Sequence, residues 1–173
     1  RYGYNPAGND LVDLSLQFSY ANEEIMQTPV PGTPPFLVGL IGADHKYETT
    51  TVTLKNRSYF DTGQVAHNLV SGMEYIYRKR LDASSAPGGD DNRWAFFLID
   101  EMAFGGGWTV TPAVRYETSD ISGSTAPNNG QFSNEALMGG VSARYAFGNG
   151  ISVFGSAAYT EVLPPIDDLD NVA

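Results

Sequence analysis

The sequence contains no cysteine among its 173 residues. That absence excludes a disulfide framework, a thiolate metal site and a thiol nucleophile. No window approaches the run of about 18 apolar residues that a transmembrane helix requires, so no such helix is predicted. Charge is also scarce and one-sided, with 10 Lys and Arg against 20 Asp and Glu. Because phosphate binding needs clustered basic residues and no basic stripe occurs, the sequence disfavours a nucleic-acid partner.

The main pattern that the sequence does contain is alternation of apolar and polar residues with a period of two. Residues 12–20, 108–117, 141–147 and 151–159 each place apolar side chains on one side and mostly polar ones on the other. Since successive side chains of a strand face opposite ways, these segments are predicted strands. Weaker patterns predict strands at 46–60, 65–80 and 94–104. In the last segment, alternation leaves open which of Asp100 and Glu101 points inward.

The connections between the predicted strands alternate between short and long. Short turns are expected at 61–63, 105–107 and 148–150, and long loops at 22–44, 82–92 and 119–133. A meander built this way has its short turns at one end and its long loops at the other, as bacterial outer-membrane barrels do. Aromatic residues near strand ends fit the interface girdles of such barrels, namely Tyr20, Tyr75, Tyr77, Trp94, Trp108, Tyr116, Tyr145 and Tyr159.

Alternation by itself also fits a soluble antiparallel barrel or sandwich, in which the apolar side forms a packed core. The unequal loop lengths favour the transmembrane barrel. The predicted fold class is therefore all-β, an antiparallel meander with short periplasmic turns and long extracellular loops.

One hairpin resembles a pattern found throughout TonB-dependent receptors. In that family an aromatic-rich strand ends in Asp-Glu and is followed by a tight turn and Leu-Thr-Pro-Gly-Leu-Arg-Tyr-Asp. Residues 93–117 have this arrangement, and Thr-Pro-Ala-Val-Arg-Tyr-Glu at 111–117 matches nearly position by position. Residues 141–161 look like the next pair of strands, and 69–75 resemble the preceding strand. The resemblance covers residues 65–161 and is thinner before them.

The resemblance implies a large barrel of about 22 strands with a plugged lumen. Residues 1–173 are expected to supply about seven of those strands and no plug domain, as a fragment of a longer protein or only its ordered part. The implied localisation is the bacterial outer membrane. The implied partners are the lipid bilayer, the plug and remaining strands of the parent chain, the TonB complex, and a small-molecule or metal-chelate ligand such as a ferric siderophore.

The resemblance does not identify the ligand. Haem-uptake members carry Phe-Arg-Ala-Pro after the strand matched by residues 151–161, whereas this sequence has Val-Leu-Pro-Pro at 162–165. The arginine and the aromatic residue are both missing, so haem is not assigned.

In a large barrel, the two faces of each strand would meet different surroundings. Arg115, Glu117 and Arg144 are predicted to face the lumen and to contact the plug or a ligand, because an arginine at the bilayer midplane costs about 2–4 kcal/mol. The alternative for these charges is a structural ladder of ion pairs between strands. The predicted membrane-facing residues are Val12, Leu14, Leu16, Phe18, Val110, Val114 and Val153.

No enzyme chemistry, cofactor or metal site is predicted. His45 and His67 are expected near opposite ends of the sheet, too far apart for joint ligation. Asp90, Asp91, Asp167, Asp168 and Asp170 could bind a divalent cation, but a solvated acidic loop is the preferred interpretation. Active uptake by a receptor is the first functional hypothesis. A passive or adhesive porin-like barrel, a soluble binding sandwich and, last, an enzymatic barrel are the alternatives.

Overall fold

The computed structural model describes residues 1–26, 28–41, 44–81, 88–124 and 129–167. In these ranges eight strands form a single sheet in which every strand is antiparallel to the next one in sequence. They are β1 (Tyr2–Tyr4), β2 (Asp13–Met26), β3 (Asp44–Thr62), β4 (Val65–Leu81), β5 (Gly89–Ala103), β6 (Trp108–Gly123), β7 (Gln131–Ala146) and β8 (Ser152–Tyr159). A short helix, α1 (Pro35–Ile41), lies between β2 and β3. No described helix is long and apolar enough to cross a bilayer.

The predicted all-β antiparallel meander is confirmed, but the strands extend further than the hydropathy pattern indicated. Residues 22–26, 89–92 and 119–123 were expected in long loops and belong to β2, β5 and β6. Polar residues occupy both faces of most of these extensions, so a period-two pattern cannot reveal them. The three-residue β1 brings the number of strands to eight rather than about seven.

Glycines form the short turns at one end of the sheet. β3 and β4 are joined by two residues, and Gly63 there has φ of 66°, a left-handed conformation that glycine adopts without strain. Gly105–Gly107 forms a single 3₁₀ turn between β5 and β6, with Gly106 at φ of 81°. Short turns therefore gather at one end, and the connections after β2, β4 and β6 gather at the other, here called the loop end.

The register gives the sheet two chemically distinct faces. One row of paired residues crosses the sheet as Leu16, Leu54, Met73, Phe96, Tyr116 and Leu137, and it defines the apolar face. The adjacent row, Gln17, Thr53, Glu74, Ala95, Glu117 and Ala136, defines the polar face. All eight aromatic residues singled out as girdle candidates fall on the apolar face.

No second sheet packs on the apolar face in the described part of the chain, which argues against the sandwich alternative. Large apolar side chains there are exposed, including Phe18 at 64% and Val153 at 55%. The small hydrophobic core lies instead on the polar face, where Tyr47, Ile121 and Ile166 are buried together.

Candidate functional site on the polar face

An arginine bridges two carboxylates in the middle of the polar face. Arg115 on β6 donates from Nη2 to Glu74 Oε1 at 3.2 Å and from Nε to Glu117 Oε2 at 2.9 Å. Glu74 belongs to β4, and it also accepts a hydrogen bond from Thr53 on β3 at 3.2 Å. Arg115 thus joins β6 to β4, and Glu74 extends the contacts to β3. This arrangement is the ion-pair ladder weighed as the alternative for these charges.

The third predicted lumen-facing residue, Arg144, has a different environment. It lies on the polar face of β7 and shares with Glu101 the lining of a cavity of about 290 Å³. No ion pair of Arg144 is found within the ranges described above. Arg115, Glu117 and Arg144 therefore share one face, as alternation predicted, but only the first two belong to the network. That this face borders a lumen stays a prediction.

The structure also resolves the ambiguity at Asp100 and Glu101. Glu101 is on the polar face, while Asp100 is on the apolar face, where its Oδ2 lies 2.7 Å from Nδ1 of His67. The other ring nitrogen of His67 is 2.7 Å from the Thr62 hydroxyl. The pairing of β5 with β6 is interrupted at Asp100 and Glu101, opposite Pro112 and Thr111, since proline has no backbone N–H to donate. The Asp100 carboxylate is thus paired with His67 on the apolar face, near the end of the sheet that carries the short turns.

A larger cavity of about 560 Å³ adjoins the Arg115 network. Its lining is mainly apolar and includes Phe97, Ile99 and Met138 besides Glu74 and Arg115. These apolar residues on the polar face explain why residues 94–104 lacked clean alternation. The cavity offers an apolar wall with a charged edge, which suits a plug side chain or part of a ligand.

At the loop end, residues 161–167 fold back over the polar face; this segment is called the strap. Leu163 and Ile166 of the strap are 9% and 0% exposed. Ile166 packs in the buried cluster with Tyr47 of β3 and Ile121 of β6. The strap therefore adds buried hydrophobic contacts to the polar face at the loop end.

Polar contacts hold the strap at three side chains of the sheet. The Tyr47 hydroxyl donates to Asp167 Oδ1 at 2.7 Å, and Arg80 Nη1 donates to the same oxygen at 3.0 Å. Arg93 Nη2 donates to the carbonyl oxygen of Pro164 at 2.8 Å. Tyr47, Arg80 and Arg93 are called the clasp. The sheet supplies the donors in these contacts, and the strap supplies the acceptors.

The clasp is supported by further charged groups on the sheet. Asp91 is 2% exposed and accepts from Arg93 Nε at 2.7 Å and from the Ser119 hydroxyl at 2.9 Å. The Arg78 guanidinium lies 4.3 Å from the centre of the Tyr47 ring, a cation–π distance. These contacts within the sheet position Arg93 and Tyr47 independently of the strap.

The clasp lies beyond the apolar belt of the sheet. At the level of Tyr47, the apolar face changes to charged residues, with Lys46 and Glu24 paired at 2.9 Å and both about half exposed. In this position outside the belt, burial raises the pKa of Tyr47 to about 12, and the hydrogen bond to Asp167 and the charge of that carboxylate add to the effect. The hydroxyl is therefore protonated, and a donor, at neutral pH.

The expectation of a solvated acidic loop is wrong for part of the set. Asp90 and Asp91 lie in β5, where Asp90 accepts from the Tyr77 hydroxyl at 2.5 Å and Asp91 is buried. Asp167 accepts from the clasp, and Asp168 and Asp170 lie outside the described residues. Asp90 and Asp91 were assigned to a loop because polar residues on both faces of this end of β5 give no period-two pattern.

Metal ligation finds no support in the described ranges, where no group of three or more His, Asp or Glu residues could hold an ion. His45 is the second residue of β3 and His67 the third residue of β4, so they are at opposite ends of one strand pair, as predicted.

The predicted membrane-facing residues that lie within paired strands are all on the apolar face. Phe18, Val114 and Val153 are exposed at 64%, 43% and 55%. Val12 is half-buried and directly precedes β2. Contact of these side chains with lipid stays a prediction.

The comparisons with known proteins agree on one family. The model of a TonB dependent receptor-like β-barrel matches residues 1–172. The TonB-dependent heme receptor A of Haemophilus influenzae (strain 86-028NP) is 29% identical over 82 residues, which are 46% of this chain and 11% of that protein. The crystal structure of the ferric citrate transporter FecA in the unliganded form superposes with a TM-score of 0.61 and 16% identity over 89% of this chain and 25% of FecA. The chain thus spans a small part of either protein.

Proposed function

Because the chain belongs to the TonB-dependent receptor-like β-barrel family, we propose that it is part of the wall of an outer-membrane receptor for TonB-dependent nutrient uptake. The nutrient we propose is a ferric siderophore or another metal complex. The names of the two similar proteins contain heme and ferric citrate, which are both iron complexes. The remaining strands and the plug would come from the parent chain.

The observation that carries this proposal is the two-faced sheet. Soluble monomers rarely expose contiguous apolar patches larger than a few hundred Å². Here the middle of one face presents large apolar side chains, such as Phe96 at 50% and Leu137 at 59% exposure. Lipid would cover that face in a barrel, and neighbouring strands would pair with β1 and β8, since open edges are not tolerated in a bilayer.

The opposite face would then line the lumen. The Arg115 network would stiffen the wall where a plug packs against it, because its charges are already paired with one another. Arg144 and Glu101 would be free to contact the plug through their cavity near the short turns. The clasp at the loop end would meet the ligand first, since extracellular loops are the longer ones in such barrels.

Uptake measurements in a strain lacking the receptor gene test this proposal. Cells are grown with one radioactive iron source at a time, namely ferric citrate, haem and a neutral ferric trihydroxamate. We expect uptake of at least one source to require both the receptor and TonB. The control is a strain that carries the receptor and lacks TonB. Uptake that persists without TonB would support the passive porin-like alternative, and no receptor-dependent uptake of any source would contradict the proposal.

A further inference from the structure

We propose that Thr62, His67 and Asp100 form a hydrolytic site on the apolar face and that this site cleaves acyl esters of membrane phospholipids. These three residues are called the triad. Thr62 is the nucleophile, His67 is the general base and acid, and Asp100 positions His67. The activity goes beyond nutrient uptake and rests on the proposed barrel only for the placement of lipid against the apolar face.

The first argument is the geometry of a chain of two hydrogen bonds. Thr62 Oγ1 lies 2.7 Å from His67 Nε2, and His67 Nδ1 lies 2.7 Å from Asp100 Oδ2. A hydroxyl within hydrogen-bond reach of a base that a third group orients is the arrangement that activates a weak nucleophile. The register pairs His67 with Phe60 on β3 and Met102 on β5, so its two hydrogen-bond partners are diagonal neighbours on either side.

The partners of His67 determine which of its ring nitrogens carries the proton. An ionised carboxylate only accepts hydrogen bonds, so Nδ1 of a neutral His67 carries the proton and donates to Asp100. Nε2 is then an acceptor, and the Thr62 hydroxyl donates to it. This is the direction in which a general base takes a proton from a nucleophile.

The second argument is the contrast in exposure within the triad. The side chains of His67 and Asp100 are 11% and 18% exposed, whereas Thr62 is exposed. The ring of Phe60 stacks on the imidazole with centroids 4.6 Å apart and planes inclined by 5°. The base is therefore held in place and shielded from water, where a carboxylate stabilises a positively charged imidazole more strongly, and the nucleophile stays accessible.

A buried oxygen of Asp100 supports the same assignment. Its second oxygen, Oδ1, is buried and has no hydrogen-bond partner among the residues that the structure describes. Within those ranges the carboxylate is bound to His67 alone, so its charge acts on the imidazole without competition from another donor. An unsatisfied buried acceptor is uncommon, and a catalytic role is one recognised reason for it.

The third argument is the position of the triad along the strands. Thr62 and Val65 close one short turn, and Trp108, beside the next short turn, pairs with Tyr145 at a ring distance of 4.8 Å. Tryptophan and tyrosine in outer-membrane barrels lie at the level of the lipid headgroups. The ester groups of a phospholipid lie between its headgroup and its acyl chains. A lipid on the apolar face would therefore present its esters to Thr62.

The reaction needs only the lipid and water. Thr62 Oγ1 attacks the ester carbonyl carbon while His67 Nε2 takes the hydroxyl proton; the bond from that carbon to the glycerol oxygen then breaks, and His67 returns the proton to this oxygen. Water next attacks the acyl-threonine by the same route, which releases a fatty acid and restores the hydroxyl. Gly63 follows Thr62 and lies outside the strand pairing. We assign its N–H to the developing oxyanion, because the residue after the nucleophile supplies such a donor in α/β-hydrolases.

Fatty acid release by the purified full-length receptor tests the activity. The receptor is placed in mixed micelles of detergent and a phosphatidylethanolamine with two different acyl chains, and free fatty acid is measured by mass spectrometry. Thr62→Val keeps the shape of the side chain and removes the hydroxyl, so the rate should fall by about a hundredfold or more. Thr62→Ser keeps the hydroxyl and should retain the rate. Thr109→Val, at the same end of the sheet on the polar face, is the control and should leave the rate unchanged.

Two further measurements identify the roles of the triad residues. Asp100→Asn should lower kcat by about a hundredfold and leave KM unchanged, because an amide favours the wrong tautomer of His67. A long-chain alkyl fluorophosphonate should lose fluoride and attach to Thr62 Oγ1, which mass spectrometry of the peptides locates. Attachment should persist in Thr109→Val and be absent in Thr62→Val.

No fatty acid release by the receptor, equal release by Thr62→Val, or an unchanged kcat in Asp100→Asn would each overturn the inference. Uptake in cells separates this result from the proposed function. TonB-dependent uptake without fatty acid release would refute the hydrolytic site and leave the receptor function standing. Release that requires Thr62, without any TonB-dependent uptake, would support the site and refute the receptor function.

Discussion

Replacement of Arg115 by methionine removes the cation that joins β4 and β6 on the polar face. The side chains of Arg115, Glu74 and Glu117 are 33%, 25% and 13% exposed. Exposed ion pairs contribute about 0–1 kcal/mol, and breaking a fully buried pair costs about 3–5 kcal/mol. The partial exposure places Arg115→Met between these limits, so we expect a loss of about 1–3 kcal/mol in the free energy of unfolding. Glu74 would lose its ion pair with Arg115, while Glu117 would keep Arg93 Nη1 at 3.6 Å.

Urea unfolding of the full-length receptor in lipid vesicles measures this loss. Arg144→Met is the matched control, because Arg144 is on the same face and takes no part in the network; its effect should stay below about 0.5 kcal/mol. A double variant, Arg115→Met with Glu117→Gln, should recover part of the loss by removing one of the two facing charges. Equal destabilisation by the two single variants would refute the idea that the network stabilises the wall.

Two further substitutions test local features of the sheet. Gly72→Ala should destabilise the sheet by about 1–3 kcal/mol, because the Cβ of the new alanine would lie 2.5 Å from Cζ of Phe97. Gly155→Ala is the control: a Cβ there meets open space, so this variant should be nearly neutral in the same urea assay. His67→Ala should lower the free energy of unfolding by about 1–3 kcal/mol, because the Asp100 carboxylate loses its partner. Adding Asp100→Asn to this variant should restore part of the lost stability, and no recovery would contradict the pairing.

How well the sequence predicts the fold depends on how strictly apolar and polar residues alternate along each strand. Residues 108–117 alternate except at Ala113 and lie in β6, with Arg115 and Glu117 on the expected face. In β5, Phe97 and Ile99 line a cavity on the polar face, so both faces are apolar and the orientation of Asp100 could only be read from the register. Strand ends beyond the apolar belt carry polar residues on both sides and resemble loops in sequence.

The candidate site was harder to predict than the fold, because its contacts are non-local. The hydrogen bond from Tyr47 to Asp167 joins residues 120 positions apart, and the Arg80 contact spans 87 positions. Alternation assigns each side chain to a face but cannot indicate that a segment after β8 folds back onto that face. Glu74 likewise meets Arg115 only once β5 is placed between their strands.

In the proposed barrel, lipid covers the apolar face while water or protein contacts the polar face. Single cysteines can be introduced along residues 109–117 and spin-labelled in the full-length receptor in lipid bilayers, with any cysteine outside these 173 residues replaced by serine. We expect labels at Val110 and Val114 to be relaxed by oxygen dissolved in the bilayer and labels at Thr111 and Arg115 not to be. Low oxygen accessibility at Val110 and Val114, or no alternation along β6, would contradict it.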